Sequence, residues 1–120
     1  MEKEFVSFEI ALALKELGFN EKCFGFYDLS HKCRLAFTSD QNFYEQQKCS
    51  APTFSQAFRF FRERYHLIGC IDFHASYKNY MYNIKEFEYI THRTRIETYE
   101  DAEIECLKKL IEIAKEQNVK

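Results

Sequence analysis

Apolar residues recur at helical spacing in three stretches of the chain. The first stretch predicts a helix over residues 4–17. The second predicts a helix that begins near Ser50 to Thr53, where Thr53 and Gln56 have the spacing of a capping box. The third predicts a closing helix that is capped by Thr98, with Asp101 as its partner three residues later. The chain is therefore expected to begin and end with a helix and to carry another in the middle.

Alternation of apolar and polar residues predicts a β-hairpin after the first helix. Its strands are expected over 23–27 and 33–38. Pairing Phe26 with Cys33 places apolar side chains of both strands on one face, as a half-buried hairpin requires. The polar segment 39–51 that follows is interpreted as a long connection, whose role the pattern does not define.

A second hairpin is predicted over residues 67–84, directly after the middle helix. The expected register sets Phe73 opposite Tyr82. Beyond it, the parity of the apolar positions changes, which predicts a bulge near Lys85. Residues 91–98 are expected to add a short edge strand.

This order of elements predicts an α+β fold with the sequence α-β-β-α-β-β-α. It corresponds to an antiparallel sheet of about four strands with helices packed mainly on one face. At 120 residues, the chain is expected to form a single domain over 1–120.

The aromatic content indicates a binding surface in addition to a fold. Aromatic residues make up 18 % of the chain, with 13 Phe and 8 Tyr and no Trp. Tyrosine is amphipathic and is enriched in protein interfaces. An interface that forms a homodimer is therefore predicted at four tyrosines of the second half, the alternative being that these rings pack within the monomer. The four are Tyr77, Tyr80, Tyr82 and Tyr89.

The charge balance argues against the usual nucleic-acid binder. The chain has 17 Lys and Arg against 19 Asp and Glu, a formal net charge of −2, whereas most such proteins are basic. A nucleic-acid-binding accessory protein stays open as an alternative, because arginines lie among the tyrosines as they do on surfaces that bind single-stranded nucleic acid. Its residues are Arg59, Arg62, Arg93 and Arg95.

No motif indicates a catalytic or metal site. The five cysteines are an odd number and contain no C-x-x-C pair, so neither a disulfide framework nor a structural zinc site is predicted. No cofactor is predicted. A small metal-dependent or thiol enzyme is the weakest alternative. It would use Asp72, His74 and Cys70, with Asp28 and His31 as a second Asp/His pair.

The sequence predicts neither a membrane-spanning helix nor a secretion signal. The sequence has no apolar run near the ~20 residues that a membrane-spanning helix needs. Its first residues, M-E-K-E-F-V-S-F-E, lack the basic and apolar regions of a signal peptide. The sequence therefore predicts a cytoplasmic protein without a membrane partner.

Four segments resemble a known group of proteins: A-L-K-E-L-G-F, F-G-F-Y-D, A-P-T-F-S-Q-A-F-R-F-F-R-E-R-Y and Y-E-D-A-E-I-E-C-L-K-K-L-I-E-I. The chain is similar in them to small uncharacterised proteins encoded by phages and mobile elements of gut anaerobic bacteria. That group has no assigned activity, so the resemblance implies no functional residue. It implies an accessory protein that binds a host or phage partner. The leading hypothesis is a non-enzymatic interaction module that self-associates.

Overall fold

The computed structural model describes residues 2–35, 47–86 and 89–119. Over these residues the chain is α+β, with three α-helices and two antiparallel three-stranded sheets. The chain divides into two compact units, Met1–Ala57 and Phe58–Lys120, which are described separately below. The expectation of a single domain stays a prediction.

Within the described residues, nine regular elements follow one another after a short 3-10 helix at Glu2–Glu4. In chain order they are α1 (Phe8–Glu16), β1 (Gly25–Asp28), β2 (Cys33–Leu35), β3 (Gln47–Ala51), α2 (Phe54–Tyr65), β4 (Leu67–His74), β5 (Asn79–Glu86), β6 (Tyr89–Ile96) and α3 (Tyr99–Val119). The first sheet has the order β2-β1-β3 and the second β4-β5-β6. The predicted single sheet of about four strands is wrong for the described residues, because each hairpin gains a third strand of its own.

Helix α1 begins later than predicted. The Ser7 side chain accepts a hydrogen bond from the backbone N–H of Ile10 at 3.4 Å and caps the helix. The residues before it are extended instead, since Phe5 forms a β-bridge with Thr53 and the Val6 N–H donates to the Pro52 carbonyl at 3.0 Å. These backbone bonds compete with helix formation, and they explain why the helix starts after Ser7.

The first hairpin forms, but its register differs by one residue from the prediction. Phe26 lies opposite Arg34, not Cys33. The cause is the turn, in which His31 adopts a left-handed conformation with φ 65° and the Asp28 N–H donates to the Lys32 carbonyl at 3.0 Å. A three-residue loop of this kind replaces the expected four-residue loop, and a shift of one position exchanges the faces of the strand.

Strand β3 lies in the segment that was interpreted as a connection. It pairs with the central strand β1, with Gly25 opposite Ala51 and Phe26 opposite Ser50. The rest of that connection, 39–46, and the last predicted residues of β2, 36–38, lie outside the described residues. The predicted connection is therefore wrong for residues 47–51, which form a strand.

Helix α2 begins as predicted. The Gln56 N–H donates to Thr53 Oγ1 at 3.2 Å, and the Thr53 N–H donates to Gln56 Oε1 at 3.0 Å. This reciprocal pair is the capping box that the spacing indicated. The boundary between the two units falls within this helix, between Ala57 and Phe58.

The second hairpin also forms, with a register that differs by two residues. Phe73 pairs with Tyr80, and Tyr82 pairs with Ile71. The turn occupies residues 75–78, where Lys78 takes a left-handed φ of 51°. A shift of two positions keeps each side chain on its predicted face, because strand side chains alternate with period two.

Strand β6 has the length of the predicted edge strand but begins and ends two residues earlier, and the bulge is confirmed. Ile84 pairs with His92, whereas Lys85 pairs with Ile90, so Thr91 is the extra residue. The Thr91 hydroxyl donates to the Ile84 carbonyl at 3.3 Å. Its side chain thus satisfies an acceptor beside the interrupted ladder.

Helix α3 packs against all three strands of the second sheet. It begins as predicted, since the Asp101 N–H donates to Thr98 Oγ1 at 3.1 Å. The helix approaches β4 closely at Gly69, where a Cβ atom would meet Cys106 Sγ at 2.9 Å and Leu110 Cδ1 at 3.1 Å. Glycine is therefore the residue that permits this close packing.

Candidate functional site

The second sheet has two unlike faces. Gly69 points towards α3, so β4 residues of the same parity face the helix, and those of the other parity face away. The face away from α3 is called the distal face here. By register it carries Ile68, Cys70, Asp72 and His74 of β4, Asn79, Met81, Asn83 and Lys85 of β5, and Ile90, Arg93 and Arg95 of β6.

A hydrogen-bonded polar network crosses the distal face. Asn83 Nδ2 donates to Asp72 Oδ2 at 2.7 Å, and Arg93 Nε donates to Asn83 Oδ1 at 2.8 Å. Asn83 is only 7 % exposed, and both ends of its amide are satisfied by these bonds. The network joins one side chain from each of the three strands and fixes the position of the Arg93 guanidinium.

The turn between β4 and β5 folds an aromatic ring over one end of the distal face. The Tyr77 ring lies 4.8 Å from the His74 ring, and Arg95 Cζ lies 4.0 Å from the Tyr77 ring centroid. The second contact is a cation–π interaction. His74 Nδ1 and Asn79 Oδ1 are buried in this region without a hydrogen-bond partner.

The four predicted interface tyrosines do not share one surface. Tyr77 lies at the turn, and Tyr80 and Tyr82 point to the side of α3, where Tyr82 is buried. Tyr89 is 75 % exposed and pairs with Glu86 at the other end of the sheet. Tyr80 and Tyr82 are an even number of residues from the buried Ile84, so the alternation of side chains along β5 puts all three on the same face.

A connected set of rings does reach the surface on the helix side. The rings of Phe73 and Tyr80 are 5.3 Å apart, and those of Tyr80 and Tyr99 are 5.7 Å apart. Phe73 is 59 % exposed and Tyr99 is 43 % exposed. These three residues are called the aromatic row. Sequence reasoning did not single out Phe73, although its pairing with a tyrosine was a usable signal.

The four predicted arginines fall into two pairs. Arg93 and Arg95 are exposed on the distal face, two positions apart on β6. Arg59 and Arg62 are exposed on α2, which packs on the helix side, since a Cβ at Gly69 would lie 2.9 Å from Phe58 Cε1. In the β6 pair, Arg95 lies over the Tyr77 ring and Arg93 donates to Asn83.

The predicted metal residues are engaged in other contacts. The Asp72 carboxylate accepts from Asn83, and His74 lies beside Tyr77. In the first unit, the His31 ring stacks on Phe8 with 3.9 Å between ring centroids. Residues 2–35, 47–86 and 89–119 contain no group of three or more His, Cys, Asp or Glu that could hold a metal ion.

Asp28 organises its own turn. Its Oδ2 accepts from Arg34 Nε at 2.5 Å, and its Oδ1 accepts from the N–H groups of Ser30 and Lys32 at 2.8 and 3.0 Å. The hydrogen bond from the Arg34 guanidinium, followed by that from Lys32, lowers the pKa of the Asp28 carboxyl below its usual value. The Asp28 carboxylate therefore stabilises the turn between β1 and β2.

Three of the thiols are poor nucleophiles. Burial raises the pKa of Cys106 to about 12, and burial together with the Glu21 charge raises the pKa of Cys23 to about 11. Burial also raises the pKa of Cys49. A thiol with so high a pKa stays protonated at neutral pH, and only the thiolate attacks. The exposed Cys70 is separated from His74 by four positions of one strand, about 13 Å, which is too far for direct proton transfer.

No protein-family model, curated protein or solved structure matches the chain. The function is therefore inferred from the surfaces described above. No helix in the described part of the chain is both long and apolar enough to cross a membrane.

Proposed function

We propose that the chain is a non-enzymatic interaction module that self-associates through the aromatic row. The observation that carries this proposal is the exposure of Phe73 (59 %) and Tyr99 (43 %) although both rings contact Tyr80. Exposed aromatic side chains that are already ordered by their neighbours lose little side-chain entropy on binding, so they are typical of interface hot spots.

A second copy of the chain suits this surface because charges of both signs lie at the same end of the unit. Lys78 is exposed in the adjacent turn, and Glu100 and Asp101 are exposed at the start of α3 beside Tyr99. In a two-fold dimer, each surface meets its own copy, so a patch with both signs is complementary to itself.

The size of the row limits the strength of the dimer. An aromatic side chain buries about 150–250 Å² in full, so two half-exposed rings and the less exposed Tyr80 ring supply roughly 300 Å² per partner. A stable interface needs about 800 Å² per partner. We therefore expect a weak dimer that dissociates on dilution. The expected relationship to mobile-element proteins does not bear on this proposal and stays a prediction.

Light scattering coupled to size-exclusion chromatography over a wide concentration range tests the proposal. We expect the mass of the wild type to rise with concentration and the F73S/Y99S variant to stay monomeric. The matched control is Y89S, which removes a tyrosine that is 75 % exposed at the opposite end of the sheet. A wild type that is monomeric at every concentration, or a Y89S variant that loses the dimer as well, would contradict the proposal.

A further inference from the structure

The net charge of −2 conceals a separation of charge within the second unit. Helix α3 carries six acidic and three basic residues. Among its described strand residues, the distal face, on the other side of the sheet, carries Lys85, Arg93 and Arg95 against one carboxylate, that of Asp72. All four of these side chains are exposed. The chain therefore presents a basic sheet face despite its acidic composition.

Both arginines of this face are held in place before any ligand arrives. Arg93 uses its Nε for the bond to Asn83 at 2.8 Å, which directs its two terminal amino groups to an outside acceptor. Arg95 is stacked on Tyr77 at 4.0 Å. A guanidinium that is already ordered loses less conformational entropy when it binds an anion.

The shape of the face suits a polymer. Arg93 and Arg95 are two positions apart on one strand, about 6.6 Å, a spacing that the phosphates of an extended single strand can match. Along β6, a shallow, open depression is lined by Ile90 and Arg93 of the distal face together with Thr91 and His92 at the bulge. A flat face with a shallow depression contacts successive units of a chain better than it encloses a small molecule.

The geometry points to the distal face as a binding surface for single-stranded nucleic acid. Lys85, Arg93 and Arg95 contact phosphates, and a base stacks at the Tyr77–Arg95 pair. A second copy of the chain fits this face poorly, because a net positive surface repels itself across a two-fold axis and lysine is depleted from protein interfaces. The inference does not depend on the proposed dimer, which uses the other side of the sheet.

Fluorescence anisotropy with labelled oligouridine and oligothymidine of about 12 nucleotides, a length within the range for single-strand sites, tests the inference. Each phosphate contact contributes about −0.7 to the logarithmic salt slope. With three contacts, the affinity should fall about 20-fold between 50 and 200 mM salt. Binding of either oligonucleotide supports the inference, and a preference between them identifies RNA or DNA as the ligand.

Two pairs of substitutions that remove the same charge locate the site. R93A/R95A should weaken binding at low salt at least 10-fold and reduce the salt effect to about 3-fold, because only Lys85 then contacts phosphate. R59A/R62A removes two arginines from α2 and should change the affinity less than 2-fold. Equal losses in the two variants would overturn the inference.

Two further variants separate binding from stability. D72N removes the one carboxylate that the described strand residues place on the distal face, and it should tighten binding, a gain that damage to the fold would not produce. R93K/R95K keeps both charges and should retain the salt dependence of the wild type while binding more weakly, because lysine does not stack on Tyr77 as arginine does. The inference would be refuted if neither single strand bound detectably at low salt, or if a duplex of the same length bound more tightly.

Discussion

Replacement of Gly69 by alanine is the most direct test of how α3 is seated on the second sheet. The added methyl group would lie 2.9 Å from both Cys106 Sγ and Phe58 Cε1 and 3.1 Å from Leu110 Cδ1. Real Cβ atoms essentially never approach another heavy atom within 3.0 Å, so the helix or the ring must move. Cys106 is fully buried and Phe58 nearly so, which leaves little space for that movement.

The expected loss of stability follows from two opposing effects. Overpacking of a core costs about 1–3 kcal/mol. Alanine recovers about 0.5–1 kcal/mol relative to glycine, because it loses less backbone freedom on folding. The free energy of unfolding of G69A should therefore be lower by about 0.5–2 kcal/mol. Urea denaturation followed by far-ultraviolet circular dichroism measures this difference.

A double-mutant cycle tests the cause of the loss. C106A removes one of the two closest contacts, so it should be less damaging in the G69A background than in the wild type. The expected coupling is partial, because Phe58 Cε1 remains at 2.9 Å. A G69A protein as stable as the wild type would refute the reasoning, since it would mean that α3 does not press on β4 at this position.

Three further predictions concern the caps and titrating groups. T53A removes the acceptor at the start of α2 and should lower the free energy of unfolding by about 1 kcal/mol in the same urea experiment. Because the folded-state pKa of Asp28 is lowered, its stabilising effect is fully present above the unfolded value of about 3.9 and is lost as the pH falls through the lower folded value. The stability difference between the wild type and D28N, measured by thermal unfolding, should accordingly shrink below pH 4; a constant difference would contradict this. At pH 8 a thiol reagent should label the exposed Cys70 in the folded protein well before Cys106, whose pKa is about 12, as peptide mapping can show.

The sequence predicts features that depend on residues three or four positions apart. Both capping pairs, Thr53 with Gln56 and Thr98 with Asp101, are of this kind and are confirmed at the starts of α2 and α3. The two hairpin registers depend instead on single residues in left-handed conformations. These residues are His31 and Lys78. Neither is glycine or asparagine, the residue types that indicate a left-handed conformation in a sequence.

Strand β3 was missed for a compositional reason. Its sequence, Q-K-C-S-A, has no β-branched or aromatic residue, and it forms a strand because β1 offers a free edge. The polar network was missed for a related reason. The bond of Asn83 to Asp72 requires the register of two strands to be known, which depends on the turn at Lys78. Strand parity alone does place Arg93 and Arg95 on one face.

The bulge in β6 has a consequence for growth into larger assemblies. Within the described residues, β6 is an edge of its sheet, and eight residues of edge backbone are a template for another strand. The extra residue at Thr91 interrupts the regular repeat of N–H and C=O groups, and the charges of Arg93 and Arg95 further disfavour the approach of a second strand. Addition of strands without limit, the route to fibres, is therefore blocked on this edge, and association through side chains is favoured.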